Sequence, residues 1–441
     1  MTQETLPPTT SPPRTAPPAG RGRALALATV GFAVNFWAWS LLSPLAVSVM
    51  VAVPVIVGSL GRIPLGALTD RYGGRIVFAA LSFVVIAPVL FLAFATSYPA
   101  LLLGGLVLGL GGASFAVGVP FVSAWFPPER RGAALGIYGM GNIGTAISGF
   151  VSPRVANSLG RPWAFLIVAV ALAAVGLAFL VLGRDAPNRP RATEPFMTRF
   201  LAATRLPIAR DLAVLYAITF GGFVAFGVYL PTFLKTVYGL ETTDAATRAA
   251  GFVVVATLAR PVGGWLSDRF TGVPVLKWAL GVVAAGAVVT AFQPPIVPAT
   301  VAFLTMAAAL GLGNGAVFAL VGTRVPVGSV GSVTGLVGAA GGLGGFLPPI
   351  VMGLVYQATG DYAIGLMLLS DVALAGLVFA AWRLGTQPAP TQPAEPAEPV
   401  RYSGPAGPAS STSRPPEDEG SRDRASEVDR WDDEGGHDHA G

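Results

Sequence analysis

The stretch RIPLGALTDR (62–71) returns later in the chain as RPVGGWLSDR (260–269). In each copy an arginine stands alone in a long apolar run, and Asp-Arg follows it in the same register. A charge at the bilayer centre costs at least ~2.5–3.5 kcal/mol on insertion scales, so it is rarely present without a function. Arginine also stays protonated and offers a planar fork of donors. Arg62 and Arg260, related by a repeat, therefore predict one central site for a small anion.

The rest of the chain is strongly apolar. Hydrophobic residues make up 53% of it and charged residues 12%, whereas a soluble domain carries about 25% charged residues. Apolar runs of membrane-spanning length recur from Ala24 to Trp382, about twelve in all. The sequence therefore predicts an all-α membrane protein. We place its twelve transmembrane helices at 24–45, 49–68, 76–95, 98–125, 132–155, 162–182, 212–238, 248–266, 273–292, 296–321, 331–356 and 361–382.

The two halves of this array repeat each other. LGLG at 108–111 recurs at 310–313, and GNIG at 141–144 aligns with GGLG at 341–344. Parallel halves of this kind place a substrate at the bilayer midplane between them. The predicted architecture is two pseudo-symmetric six-helix bundles, and it resembles that of the major facilitator superfamily.

Composition also predicts how the chain divides. Residues 24–182 and 212–383 are the expected bundles, joined by a basic cytoplasmic linker at 183–211. Residues 1–23 and the acidic residues 384–441 are expected to be disordered cytoplasmic tails. The predicted inner loops and membrane-proximal tails hold 17 Lys and Arg residues, and the outer loops hold Arg154, Arg161, Lys235 and Arg248. This bias predicts a multi-pass protein of the cell membrane with both termini in the cytoplasm.

The residue inventory limits the chemistry. The chain has no Cys, and its only two His residues, His437 and His439, lie near the C-terminus. Thiol and imidazole groups are thus excluded from the membrane region. We find no catalytic constellation and predict neither an enzyme nor a cofactor or metal site. The net charge of +5 reflects membrane topology and does not indicate nucleic acid binding. A monomer in the lipid bilayer is expected.

The first two predicted helices are joined by almost no loop. From Ala24 to Thr69 the only charge is Arg62. A single helix of that length would run ~69 Å at 1.5 Å per residue, far more than a bilayer. The chain must therefore fold back, and Ser43-Pro44 with Ser48 is the predicted place.

The repeated Asp-Arg pairs fall in the cytoplasmic turns after helices 2 and 8. Asp70 and Asp268 are predicted to cap neighbouring helices or to pair with arginines across the bundle interface, so that Asp70, Arg71, Asp268 and Arg269 latch one face of the molecule. The alternative is that these residues only follow the positive-inside rule.

Gly-rich segments at 108–118, 136–149, 310–322 and 335–346 let helix backbones approach closely. Tight packing is one role. The second is to bare backbone N–H groups and to leave room for a small planar ligand. Asn142 and Asn314 are the polar side chains in these segments that would donate to an anion.

Aromatic side chains are candidate walls for a flat ligand. Phe36, Phe115, Tyr216 and Phe220 fall on helices 1, 4 and 7, where packing or lipid contact is the commoner role of a single ring. Asp371 is the only carboxylate deep in a predicted helix and is a candidate proton site. Helix 12 of this architecture usually lies outside the pore, which favours a structural role for Asp371.

Residues 24–382 resemble the nitrate/nitrite porter family of the major facilitator superfamily. The most specific segments are FAVNFWAWSLLSPL (32–45), FPPERRGAALGIYGMGNIG (126–144), YAITFGGF (216–223) and GLVGAAGGLGGF (335–346). The nearly absent first outer loop departs from the family pattern. The resemblance assigns substrate contacts to Arg62, Arg260, Asn142, Phe36, Phe115, Tyr216 and Phe220. It makes the glycines of helices 5 and 11, among them Gly141, Gly144, Gly341 and Gly344, the paired nitrate signatures.

The implied function is transport of nitrate and nitrite by alternating access. Fixed positive charges without nearby acids suit a monovalent oxyanion, and the lack of titratable core groups favours nitrate/nitrite exchange, as in an antiporter, over proton symport. Two alternatives stay open. One is a facilitator for another small anion such as oxalate or formate, and the other is a non-transporting membrane sensor that uses the acidic tail.

Overall fold

The computed structural model describes residues 20–42, 49–187, 194–345 and 347–385, and these are helical apart from short connections. The first half and the linker contain α1 Arg21–Trp39, α2 Val49–Tyr72, α3 Gly74–Phe94, α4 Tyr98–Leu108, α5 Ser114–Ser123, α6 Pro128–Gly139, α7 Ile143–Leu159, α8 Arg161–Leu182 and α9 Phe196–Arg205. The second half contains α10 Pro207–Tyr238, α11 Thr242–Phe270, α12 Gly272–Ala291, α13 Ile296–Arg324, α14 Val330–Gly344, α15 Leu347–Thr359 and α16 Ala363–Phe379.

Over the described ranges, the twelve predicted spans fall mainly on helical segments. Within the described residues, eight helical stretches are long and apolar enough to cross a membrane, which confirms a multi-pass membrane protein. Two of the predicted spans begin inside segments that were predicted to lie outside the bundles: α1 begins at Arg21 in the predicted tail, and α10 begins at Pro207 in the predicted linker. Proline is well suited to the first turn of a helix, where its missing N–H has no partner to lose.

Three predicted spans are interrupted where glycines cluster. The breaks are a 3₁₀ segment at Gly109–Ala113 between α4 and α5, a second at Met140–Asn142 between α6 and α7, and the end of α14 at Gly344 before α15. Glycine is less favourable than alanine in a helix by about 1 kcal/mol, so regular helical geometry gives way there first. Each break lies in one of the Gly-rich segments.

Some predictions concern residues that the structure does not describe. They are the turn at 43–48, both histidines, and the tails apart from the residues nearest α1 and α16.

The helices pack as two repeat-related groups. In the first half α3 packs on α8, and α1 packs on α7 and α8; in the second, α13 packs on α11 and α12, and α12 packs on α16. Between the halves, α2 packs on α14, and α11 packs on α6. These two cross-bundle pairs are equivalent in the repeat. The arrangement is consistent with the predicted pair of helix bundles and puts α2, α6, α11 and α14 at their interface.

Both interface crossings depend on glycine. A Cβ atom on Gly66 of α2 would collide with the carbonyl of Gly331 at the start of α14. A Cβ atom on Gly264 of α11 would likewise collide with the carbonyl of Gly132 in α6. Small residues allow helix backbones to touch, so packing between the bundles is close without large side chains.

The turns after α2 and α11 show a mismatch in the repeat. Gly73 has φ 96° and ψ 152°, and Thr271, at the equivalent turn, has φ 66° and ψ 156°. This backbone region is essentially limited to glycine. In the second copy a β-branched residue, Thr271, therefore has a backbone conformation that favours glycine, the residue at the equivalent position of the first copy.

Candidate functional site

Arg62 lies midway along α2 and reaches across the bundle interface. It is 2% exposed. Its Nη1 donates to the carbonyl of Gly338 on α14, and its Nε donates to the carbonyl of Gly112 at 3.2 Å. A Cβ atom on Gly338 would stand 2.9 Å from Arg62 Cδ. The missing side chain of Gly338 is therefore what lets the arginine lie against α14.

Arg260 makes the mirror contact from α11. It is also 2% exposed, and its Nη1 donates to the carbonyl of Gly139 on α6 at 3.4 Å. A Cβ atom on Gly139 would stand 3.2 Å from Arg260 Cδ. Each arginine thus belongs to one bundle and bonds to a glycine carbonyl of the other.

The two guanidinium groups are not equally satisfied. No described residue accepts a hydrogen bond from Nε or Nη2 of Arg260. Both amide atoms of Asn314 on α13, which is 2% exposed, also lack a partner among the described residues. Buried polar groups in native proteins almost always have partners, and an orphaned one costs ~1–3 kcal/mol. Of the two guanidinium groups, that of Arg260 therefore has fewer of its donors in use.

Aromatic rings join the two arginines. The Cζ atoms of Arg62 and Arg260 lie 5.6 and 5.4 Å from the ring centre of Phe220. Phe115 also faces Arg62, at 6.0 Å, and Phe223 faces Arg260, at 5.1 Å. A ring face attracts a cation within about 6 Å, so these rings stabilise guanidinium groups without neutralising them.

Tyr216 completes the wall. Its ring stacks on Phe220 with centres 4.9 Å apart and lies nearly parallel to Phe115 at 6.4 Å. Phe318 of α13 meets both Phe115 and Tyr216 edge-on. The predicted Phe36 contacts Phe32 and Trp39. Phe32 in turn contacts Phe115. Among the described residues, the rings that face the two arginines are those of Phe115, Phe220 and Phe223, and Phe36 is not one of them.

Asn142 lies beside the Arg260 contact. Its Nδ2 donates to the carbonyl of Gly139 at 2.9 Å, and the same carbonyl accepts from Arg260. The 3₁₀ segment Met140–Asn142 turns the side chain back toward α6. The structure therefore brings Asn142 and Arg260, two of the predicted site residues, to the same carbonyl.

The four predicted signature glycines pack on helices of their own bundles. Gly141 faces the ring of Phe32 and Gly144 faces the carbonyl of Ala33, both on α1. On α10, Tyr216 faces Gly341, and the carbonyl of Ala217 faces Gly344.

Sequence reasoning missed the glycines that touch the arginines. Gly139 and Gly338 stand in the Gly-rich segments, and their equivalent places in the two halves were the available signal. The carbonyl of Gly112, and the rings of Phe223 and Phe318, carried no such signal.

The predicted latches lie on the side expected to be cytoplasmic, called the inner side below. Asp70 accepts hydrogen bonds from the backbone N–H groups of Gly331, at 3.0 Å, and Ser332, at 2.9 Å. These are the first residues of α14, where a helix N-terminus favours a carboxylate. Asp268 accepts from the N–H groups of Gly132 and Ala133 on α6, each at 2.7 Å.

Arg71 and Arg269 are exposed and lie over aromatic rings of their own helices. The guanidinium groups that cross the inner interface are instead those of Arg131, which donates to the Gly322 carbonyl at 2.8 Å, and Arg199. Asp371 is exposed on α16.

The chain is similar to known membrane transporters. The family model of the Major Facilitator Superfamily matches residues 22–349 and 249–417. The chain is 47% identical over 381 residues to the probable nitrate/nitrite transporter NarK2 of Mycobacterium tuberculosis, covering 82% of this chain and 96% of the relative. It is 38% identical to the nitrite extrusion protein of Bacillus subtilis strain 168, over 81% of this chain and 93% of that one.

Among solved structures, the human organic anion transporter MFSD10 superposes with a TM-score of 0.69 at 16% identity, covering 84% of this chain and 100% of that one. That likeness concerns the fold. The long, well-covered relatives and the superfamily match together settle the family. The chain belongs to the nitrate/nitrite porter family of the major facilitator superfamily.

Proposed function

We propose that this protein carries nitrate and nitrite across the cell membrane by alternating access, with the anion held between Arg62 and Arg260. The observation that carries the proposal is the pair of buried arginines. No carboxylate of the described residues forms a salt bridge with either one. Within the described part of the chain both arginines donate to backbone carbonyls and face aromatic rings, and the Tyr216 side chain lies beside Arg260.

A planar monovalent oxyanion suits this arrangement. The two cations flank one ring, that of Phe220, and repel each other; a bound anion relieves the repulsion. Guanidinium forks bind planar oxyanions through paired hydrogen bonds. Nε and Nη2 of Arg260 and the amide of Asn314 are donors without a described partner. The names of the relatives from M. tuberculosis and B. subtilis point to nitrate and nitrite.

Exchange of anions fits the site better than proton symport. Tyr216 is the only titratable side chain, besides the arginines, among the residues placed around Arg260 and Phe220 above. An unperturbed tyrosine titrates near pH 10, far from physiological pH. Asp371, the proton-site candidate, is exposed on α16. Inward nitrate exchanged for outward nitrite would balance charge without a proton.

The remaining expectations belong to the same proposal. We place the bundles at 24–182 and 212–383, the linker at 183–211, and both termini in the cytoplasm. The gate residues are Asp70 and Asp268, and the protein works as a monomer in lipid.

The test is nitrate uptake into proteoliposomes of the purified full chain. We expect uptake that is accelerated by internal nitrite and unaffected by an imposed pH gradient. Competition with oxalate and formate separates the first alternative, because either should fail to slow nitrate uptake. A protein in which Arg260→Ala leaves nitrate affinity unchanged would overturn the proposed site.

A separate experiment, removal of the acidic tail, tests the alternative that the protein is a non-transporting sensor. A chain shortened by residues 384–441 should transport nitrate at the rate of the full chain. Loss of transport on removal of the tail would contradict the proposal.

A further inference from the structure

The linker contains a helix, α9, with one buried and one exposed face. Met197 and Leu201 are 58% and 45% exposed, whereas Ala203 and Arg199 are 1% and 8% exposed. The helix packs on α2, α10 and α14. A buried arginine on a connecting segment is unusual, since a charged side chain is almost never buried unless it is paired.

Arg199 bonds to both bundles at once. Its Nη1 donates to the carbonyl of Ala67 at 3.2 Å, and its Nη2 donates to Oδ2 of Asp70 at 2.6 Å, both on α2. The same Nη2 donates to the carbonyl of Gly328 at 2.7 Å, in the turn just before α14. One linker side chain thus ties the inner end of α2 to the beginning of α14.

Asp70 is the centre of this network. Oδ2 accepts from Arg199, from the Ser332 N–H and from the Ser332 Oγ, and Oδ1 accepts from the Gly331 N–H. Arg199 therefore fixes the carboxylate in the orientation in which it caps α14. The cap and the ion pair share one oxygen, so loosening one loosens the other.

The repeat-related latch at Asp268 has no counterpart of Arg199 within the described chain. Asp268 accepts from the N–H groups of Gly132 and Ala133, and no arginine of the described chain forms a salt bridge with it. The linker occurs once in the molecule and cannot serve both copies. The two latches of the inner side are therefore built differently.

We propose that α9 is a clasp on the inner gate and that Arg199 is its positioning residue. Arg199 holds Asp70 on α14 while the inner side is closed, and it must release either Gly328 or both Ala67 and Asp70 before the bundles separate there. The linker thereby sets how long the inner side stays closed. The proposal rests on alternating access and is independent of which anion is carried.

The test uses distances between the inner ends of the bundles. The natural chain has no Cys, so paired substitutions give the only thiols. Ile76→Cys at the start of α3 and Lys277→Cys in α12 are both exposed positions that would carry spin labels. Double electron–electron resonance on the full chain, in lipid nanodiscs without added anion, then reports the inner-closed and inner-open populations.

Arg199→Gln removes the charge and keeps an amide donor. We expect the ratio of inner-open to inner-closed molecules to rise at least about tenfold, because removing one partner of a buried ion pair is strongly destabilising. Arg205→Ala is the matched control: it lies on the same helix, is exposed and should leave the distances unchanged. Distances in Arg199→Gln equal to those of the parent would overturn the proposal, as would equal shifts in both variants.

Arg199→Lys covers the case in which Arg199→Gln is not recovered folded. A lysine keeps the charge near Asp70 but presents one nitrogen where the arginine used two. We expect a shift in the same direction and smaller, accompanied by a lower apparent affinity for external nitrate with little change in maximal rate. Parent-like distances in Arg199→Lys would count against the clasp. These distances are independent of nitrate, so they also separate failure of the clasp from failure of the proposed substrate.

Discussion

Arg62 and Arg260 are equivalent in the repeat but not in their surroundings. Arg62 already donates to two carbonyls, whereas Arg260 keeps Nε and Nη2 without a described acceptor. Arg62 is therefore held in place by the protein, and Arg260 has more donors left for a ligand. This difference was not readable from two similar ten-residue stretches, since backbone carbonyls carry no residue-type signature.

The fork of Arg62 is predicted to be indispensable. Arg62→Lys should lose at least about tenfold in nitrate affinity, ~1.4 kcal/mol, and approach Arg62→Ala. A lysine offers one point donor and cannot reach Gly112 and Gly338 together in the fork's geometry. Binding to protein in detergent, measured by calorimetry, checks this, with Arg154→Lys at an exposed site as control. Affinity within about twofold of the parent would contradict the assigned role.

Gly338 is predicted to contribute to the site because it has no side chain and so leaves room for Arg62. In Gly338→Ala the new Cβ atom would stand 2.9 Å from Arg62 Cδ, and overpacking of this kind typically costs ~1–3 kcal/mol. Nitrate uptake should fall while the yield of folded protein stays similar. Gly353→Ala on α15 is the control, because a Cβ atom there meets nothing within 4 Å. Normal uptake by Gly338→Ala would show that Arg62 can shift freely.

At the level of elements, apolar run length and charge placement predicted where the spans lie. They did not predict the 3₁₀ breaks at Gly109–Ala113 and Met140–Asn142, because a glycine cluster permits several local geometries and packing selects one. The predicted latch aspartates do cap or bond to helices across the interface. The contribution of α9 was missed, since an arginine in a basic linker resembles any other positive-inside residue.

The turn at Thr271 is predicted to be strained. Its φ of 66° and ψ of 156° lie in a backbone region that is essentially limited to glycine. A non-glycine residue there destabilises the fold by of order 1–3 kcal/mol. Thr271→Gly should therefore raise the thermal midpoint of the purified protein, followed by intrinsic tryptophan fluorescence. Ser97→Gly is the control, because Ser97 has φ −82° and should gain nothing. A lower midpoint for Thr271→Gly would mean that the threonine side chain stabilises the turn by more than the strain.

On the scale of the whole molecule, the repeat was the most informative property of the sequence. It predicted two helix bundles that are related by the repeat, and the structure has two packed groups of helices with Arg62 and Arg260 bonded across their interface. The gating role of the repeated aspartates stays a prediction. What departs from symmetry was not predictable: the extra hydrogen bond of Arg62, the backbone conformation of Thr271 and the single linker clasp. The bonds of Arg62 and Arg199 depend on contacts between residues far apart in the chain.

Exchange is predicted to be nearly independent of pH. No unperturbed side chain placed near the arginines titrates between about pH 6 and 8, so the rate should be flat there. Asp371→Asn should behave as the parent, since Asp371 is exposed on α16. Nitrate/nitrite exchange in proteoliposomes at equal internal and external pH measures both. If transport instead required a pH gradient, and if Asp371→Asn removed that requirement, transport would be coupled to protons through Asp371.

The cross-bundle bonds of the two arginines have a kinetic consequence for the unloaded carrier. Arg62 bonds to a carbonyl of the opposite bundle, and so does Arg260. When the bundles rock apart, those carbonyls recede, and two buried cations lose acceptors at the same moment. A bound anion stays with the guanidinium groups and supplies hydrogen-bond acceptors throughout the conformational change. We therefore expect the return step without a bound anion to be the slower one, so that transport in one direction should stop unless another anion binds on the opposite side.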